Sequence, residues 1–191
     1  MKRKMRPKVL TLVLTTAAVM AASLPAMALA PTREVIEFSD QDFFEDCGTS
    51  IALQEVGEEV VTFRIRGTDE LAYLQLHVTG SQTLTNLATN RSMTIDFRIY
   101  EQDHTVVDNG DGTLTITVLG TANTVLRDGG GRVVRRVAGS AQYQVLIDHN
   151  GTPGDPSDDE FIADLGFIRG HSGLNQFVGA DFCEDFLELT G

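Results

Sequence analysis

An all-β fold, a single antiparallel β-barrel of about eight strands with a short C-terminal helix, is what this sequence predicts, and three observations carry the expectation. Apolar and polar residues alternate with period two through most of the chain, turn-forming residues interrupt the alternation at short intervals, and helical periodicity is confined to the C-terminal end. A two-sheet β-sandwich built from the same strands is the alternative architecture.

The first segment is no part of that fold. Lys2, Arg3, Lys4, Arg6 and Lys8 precede an apolar run from Val9 to about Ala22, and the A-x-A patterns Ala26-Met27-Ala28 and Ala28-Leu29-Ala30 follow. This is the pattern of a secretory signal peptide over residues 1–30. A transmembrane anchor fits less well, because Thr11, Thr15 and Thr16 dilute the run and Pro25 ends it. The expected localisation is secreted, extracellular, with residues 31–191 forming a single secreted β-barrel domain.

Strands follow in sequence. Val61, Phe63 and Ile65 alternate with Thr62, Arg64 and Arg66, and Ala72, Leu74, Leu76 and Val78 alternate with Tyr73, Gln75, His77 and Thr79. Met93, Ile95, Phe97 and Ile99 continue the pattern, then Leu114, Ile116 and Val118, then Ala141, Tyr143, Val145 and Ile147. Each gives one apolar and one polar face in an extended chain. Turns are expected at Gly57, Gly67-Thr68-Asp69, Asn90, Asn109-Gly110-Asp111-Gly112, Gly120 and Gly129-Gly130-Gly131. Connections this short make neighbouring strands antiparallel. Between Ile51 and Ile168 the count comes to about eight, a number at which a sheet can close and lose its edges. Near the end, Asp181 is placed to cap a helix, Glu184 stands three residues on, and Phe182, Phe186 and Leu189 share one helical face.

Two cysteines, Cys47 and Cys183, sit near opposite ends of the exported part. In an oxidising compartment they are expected to pair and clasp the termini. A reactive thiol lacks the basic neighbour that would stabilise a thiolate at either position.

Charge narrows the partners. The chain carries 15 basic and 27 acidic residues, a formal net charge of -12. Removal of the leader takes five of the basic residues and no acid, leaving about -17. Phosphate backbones and anionic membranes repel such a surface, so neither nucleic acid nor, after signal cleavage, a membrane is an expected partner.

No nucleophile motif accompanies His77, His104, His149 or His171, which read as polar surface residues, and no zinc spacing or phosphate-cradling loop occurs. No catalytic residue is therefore assigned. The loop DHNGTPGDPSDDEF, Asp148 to Phe161, has two readings. Asp148, Asn150, Asp155, Asp158, Asp159 and Glu160 form a candidate calcium ligand set, calcium being a hard cation that takes six to eight oxygens. Pro153 and Asp159 stand where an EF-hand has glycine and glutamate, so a site here would be irregular. The other reading is a hydrated hairpin loop stiffened by Pro153 and Pro156.

Several stretches carry a resemblance: Cys47-Gly48, Leu84-Thr85-Asn86-Leu87-Ala88-Thr89-Asn90-Arg91-Ser92, Asp111-Gly112-Thr113-Leu114, a G-x-x-x-x-V hairpin, Asp148 to Pro153, and Asp181-Phe182-Cys183. Together they resemble an uncharacterised group of small secreted actinobacterial β-barrel-like proteins. That likeness implies secretion, the barrel-like domain and the Cys47–Cys183 pairing, and it transfers no catalytic residue. Lipocalins offer a fold analogy, but their glycine-x-tryptophan signature is absent from a chain without tryptophan. Allene oxide cyclase-like and dirigent-like barrels offer another.

The expected function is a secreted non-catalytic β-barrel module whose interior is packed or holds a small apolar ligand. A barrel isomerase or cyclase is the alternative, using polar groups such as Tyr73, His77, Tyr100 or Tyr143 turned inward. A calcium-stabilised extracellular interaction protein is the third.

Overall fold

The computed structural model describes residues 31–191, so the signal-peptide segment lies outside the described residues. Seven strands follow one another: β1 (Thr32–Asp46), β2 (Thr49–Arg66), β3 (Leu71–Asn86), β4 (Arg91–Asp108), β5 (Thr113–Arg127), β6 (Val133–Asp148) and β7 (Glu160–Asn175). One helix, α1 (Phe182–Thr190), ends the chain. The strands form one antiparallel sheet in the order β1-β2-β3-β4-β5-β6-β7. Each pairs with the next through a hairpin, so the short connections enforce neighbour pairing throughout.

The count is seven where the alternation gave about eight, and two glycines explain the difference. Gly57 and Gly120 were expected to mark turns, yet both lie inside strands. Gly57 is directly opposite Gly80, and a Cβ on Gly57 would collide with the Phe38 ring and the Thr79 carbonyl. Gly80 in turn lies under the Phe97 ring. Glycine here makes room for an aromatic ring over the backbone, a strand use of glycine that sequence cannot separate from a turn. The strands are accordingly long, 15 to 18 residues. β1 lies N-terminal to Ile51, outside the span in which the alternation predicts strands.

Register divides each strand into two faces. Ile51, Leu53, Glu55, Val78, Gln82 and Leu84 share one with Met93, Phe97, Val118 and Leu126, and nearly all the buried residues stand on it. This inner face curls around two ends. At one end Phe186 of α1 is wholly buried among Ile51, Leu84, Met93 and Leu126, drawn from four successive strands. At the other end the β6–β7 loop reaches back to the start of β3, where the Ala72 amide donates to the Pro153 carbonyl at 3.4 Å. A second cluster, Leu71, Val106 and Leu114 with Ile116 and Ile147, packs there.

Tertiary links fix the helix to the sheet. Cys47 and Cys183 form a disulfide, Cα atoms 5.0 Å apart, which ties the β1–β2 turn to α1. Arg135 of β6 meets Asp185 in a two-pronged ion pair at 2.6 and 2.5 Å. Asp181 caps α1, accepting from the Cys183 and Glu184 amides at 2.8 and 3.1 Å. β1 and β7 are the outer strands of the sheet and do not pair with each other, so the sheet is curled but not closed. Among the described residues no helix is long and apolar enough to cross a membrane.

Candidate functional site

The inner face is apolar at both ends and acidic between them. Glu101 and Asp103 stand on the inner face of β4, and Tyr143 of β6 reaches them across β5, where Gly120 supplies no side chain to block the way. A Cβ at Gly120 would touch Tyr143 and Glu101 alike, at 3.7 and 3.8 Å. Glycine at this register position lets the phenol and the carboxylate meet over the sheet.

Burial governs their chemistry. The Asp103 side chain is 9% exposed, and loss of water pushes its carboxyl up to about 6, even though the Leu74 amide donates to it at 2.7 Å and Arg66 favours the anion. Glu101 is raised for the same reason, against the hydrogen bond it receives from Tyr143. The Tyr143 phenol is pushed far up, by burial first and then by the charge of Glu101. Above it on the same face, Glu59 is raised by burial and by Glu34, and Glu55 accepts from the Gln82 amide at 3.1 Å. Arg66, whose charge favours the Asp103 anion, also lies 5.0 Å above the Tyr73 ring.

Aromatic side chains lead into this layer from β7. Phe167 and Phe161 share the inner face with Tyr143 and Ile147, and Phe167 packs edge-on to Tyr143 with ring centroids 6.3 Å apart. Both are largely exposed, because β7 has no neighbour beyond it.

Of the four polar groups expected near a barrel mouth, only Tyr143 joins this cluster. His77 and Tyr100 pack edge to face on the outer side of the sheet, where an open depression of about 330 Å³ is lined by His77, Arg98, Tyr100, Thr121 and Asn123. Tyr73 packs against the cluster of Leu71, Val106 and Leu114. A smaller cavity of about 110 Å³ lies beneath α1, between Met93, Ile95, Leu126, Phe177 and Phe182.

The loop between β6 and β7 uses its polar side chains on itself. Asp148 accepts from the Asn150 amide, Asp155 caps the 3-10 turn Pro156–Asp158 through the Ser157 amide, and Asp158 takes the Thr152 hydroxyl at 2.8 Å. Asn150 donates to the Asp158 carbonyl, and Glu160 begins β7. Asp148, Asn150, Asp155 and Asp158 of the candidate calcium set are thus each hydrogen-bonded within the loop. Among the described residues the one group of three metal-binding side chains with converging atoms is Asp46, Cys47 and Cys183, whose sulfurs are already joined. Asp159 differs from its neighbours: it turns inward, with one oxygen buried and unpartnered, and burial pushes it up to about 6.

His149 corrects the surface reading given to the histidines. It is 6% exposed, its Nδ1 accepts from the Gly151 amide at 3.2 Å, and its Nε2 is buried with no partner, 4.0 Å from Asp108. With Nδ1 accepting, the neutral ring carries its proton on Nε2. No family model, no curated protein and no solved structure matches the chain.

Proposed function

We propose that the protein is a secreted, non-catalytic, barrel-like module that binds a small ligand on the inner face of its curled sheet. The ligand has an apolar body, lying against Phe161 and Phe167, and a hydrogen-bonding group met by Glu101, Asp103 and Tyr143. The observation that supports this reading is the arrangement itself: the exposed Phe167 ring packs against the half-buried Tyr143 phenol, with Phe161 farther along the same face, beside two carboxyl groups that burial has raised. Burying unpaired carboxylates costs stability, and ligand sites are where such groups are kept. Apolar walls with a few convergent polar groups are the usual make-up of a small-molecule site.

Native mass spectrometry of the exported protein, taken without denaturation, tests the proposal. A small organic molecule should leave with the protein and be released on unfolding. Protein that is bare under gentle ionisation, and that takes up none from a lipid and metabolite extract, contradicts it.

One observation favours a second reading. Asp103, with its carboxyl near 6, could exchange protons at neutral pH, as a barrel isomerase or cyclase requires. Recovery of the bound molecule in chemically altered form would move the protein into that class.

A further inference from the structure

An antiparallel meander of seven strands leaves its first and last strands running the same way. β1 and β7 therefore cannot join by the antiparallel ladder used everywhere else in the sheet, and both remain free edges. Free edges invite association, and proteins usually guard them with charge. β1 is guarded: Glu34, Glu37, Asp40, Asp42, Glu45 and Asp46 stand along it against Arg33 alone. β7 is not. It carries only Glu160, Asp164 and Arg169 as charged side chains, a net charge of -1 in a chain of -12.

Its apolar residues are also unusually open. Besides the inner-face Phe161 and Phe167, Ile162, Leu165, Ile168 and Leu174 are each 47 to 57% exposed. The register of β6 against β7 shifts at four places, so successive apolar residues such as Phe167 and Ile168 do not follow a simple in-and-out alternation. Taking each of these four side chains at roughly 150 to 200 Å², their exposures come to on the order of 350 Å². That is within the roughly 300 to 600 Å² of a monomer's largest apolar patch, and with the unpaired β7 backbone beside it supplies about half of the roughly 800 Å² each partner contributes to a stable interface.

We propose that β7 is a homodimer interface, through which two copies of the chain meet about a two-fold axis. The axis sets β7 antiparallel to its counterpart, an orientation that β1 cannot offer within one chain. A pairing through β1 would bring six acids against six and is disfavoured by charge. Since the whole molecule is acidic, salt must strengthen this contact by screening repulsion, whereas a cationic partner on the same edge would be weakened by salt.

Sedimentation velocity on the exported protein up to about 100 µM tests the proposal, because association follows mass action. The expected result is twice the mass of one chain, with tighter association at about 0.5 M salt than at low salt. The double substitution Leu165→Lys, Ile168→Lys should give a monomer with unchanged circular dichroism, and Val35→Lys on β1 should remain dimeric. A monomer throughout overturns the proposal, as does a dimer that survives the β7 substitutions or is lost with Val35→Lys.

Discussion

Asp103 shows how a single residue links stability to site chemistry. Its carboxyl is raised from an ordinary 3.8 to about 6 in the folded protein, chiefly by burial. The folded state therefore holds this proton more tightly than the unfolded chain does. The resulting stabilisation is full below pH 3.8 and is lost as pH rises through 6. Two pH units correspond to at most about 3 kcal/mol. Asp103→Asn, which still accepts from the Leu74 amide, should stabilise the protein by about 1 to 3 kcal/mol at pH 8 and change little at pH 3.5. Thermal melts of both proteins at the two values check this. Gly80 is the opposite case, a residue kept for what it lacks. A Cβ there would sit 2.6 Å from the Phe97 ring and 2.7 Å from the Val56 carbonyl. Gly80→Ala should cost about 1 to 3 kcal/mol, read from the shift of a urea midpoint. Neither role was readable in sequence. Asp103 lies beyond the cleanly alternating stretch that ends near Ile99, and a strand glycine looks like a turn.

At the scale of elements, the alternating strands and α1 were readable because each buries one regular stripe. The capping Asp181 and the spacing of Phe182, Phe186 and Leu189 mark α1 almost residue for residue. β1 escaped because its inner face mixes Ile36, Phe38 and Phe44 with Glu34, Asp40 and Asp42, so no apolar stripe forms on an edge strand. His149 escaped because its burial depends on a loop folding under the sheet, which no local pattern encodes. α1 closes one end of the inner face mainly through Phe186. Phe186→Ala should cost about 3 to 5 kcal/mol, the range for a fully buried aromatic. Asp181→Ala should cost only about 1 kcal/mol, the worth of one cap. Denaturant unfolding of the two variants separates packing from capping, and similar losses would mean that α1 is not held by its core contact.

Across the whole molecule, long-range ties hold a curled sheet whose outer strands do not pair. The disulfide joins residues 136 apart, and a loop of that length confers about 4 to 5 kcal/mol in the chain-entropy model. Reduction should lower stability by about that amount while leaving the β-sheet circular dichroism intact in dilute buffer. Sequence could supply the pairing of the cysteines and the all-β class, because both follow from composition and period. It could not supply closure, since whether β1 meets β7 depends on strand number and shear summed over the entire sheet. The central claim is that the inner face beside β7 binds a small amphiphile, and fluorescence titration with the neutral apolar probe N-phenyl-1-naphthylamine tests it most directly. The account predicts saturable binding of one probe per chain, weakened roughly tenfold by Phe167→Ala. Absence of saturable binding, or affinity indifferent to Phe167→Ala, would contradict it.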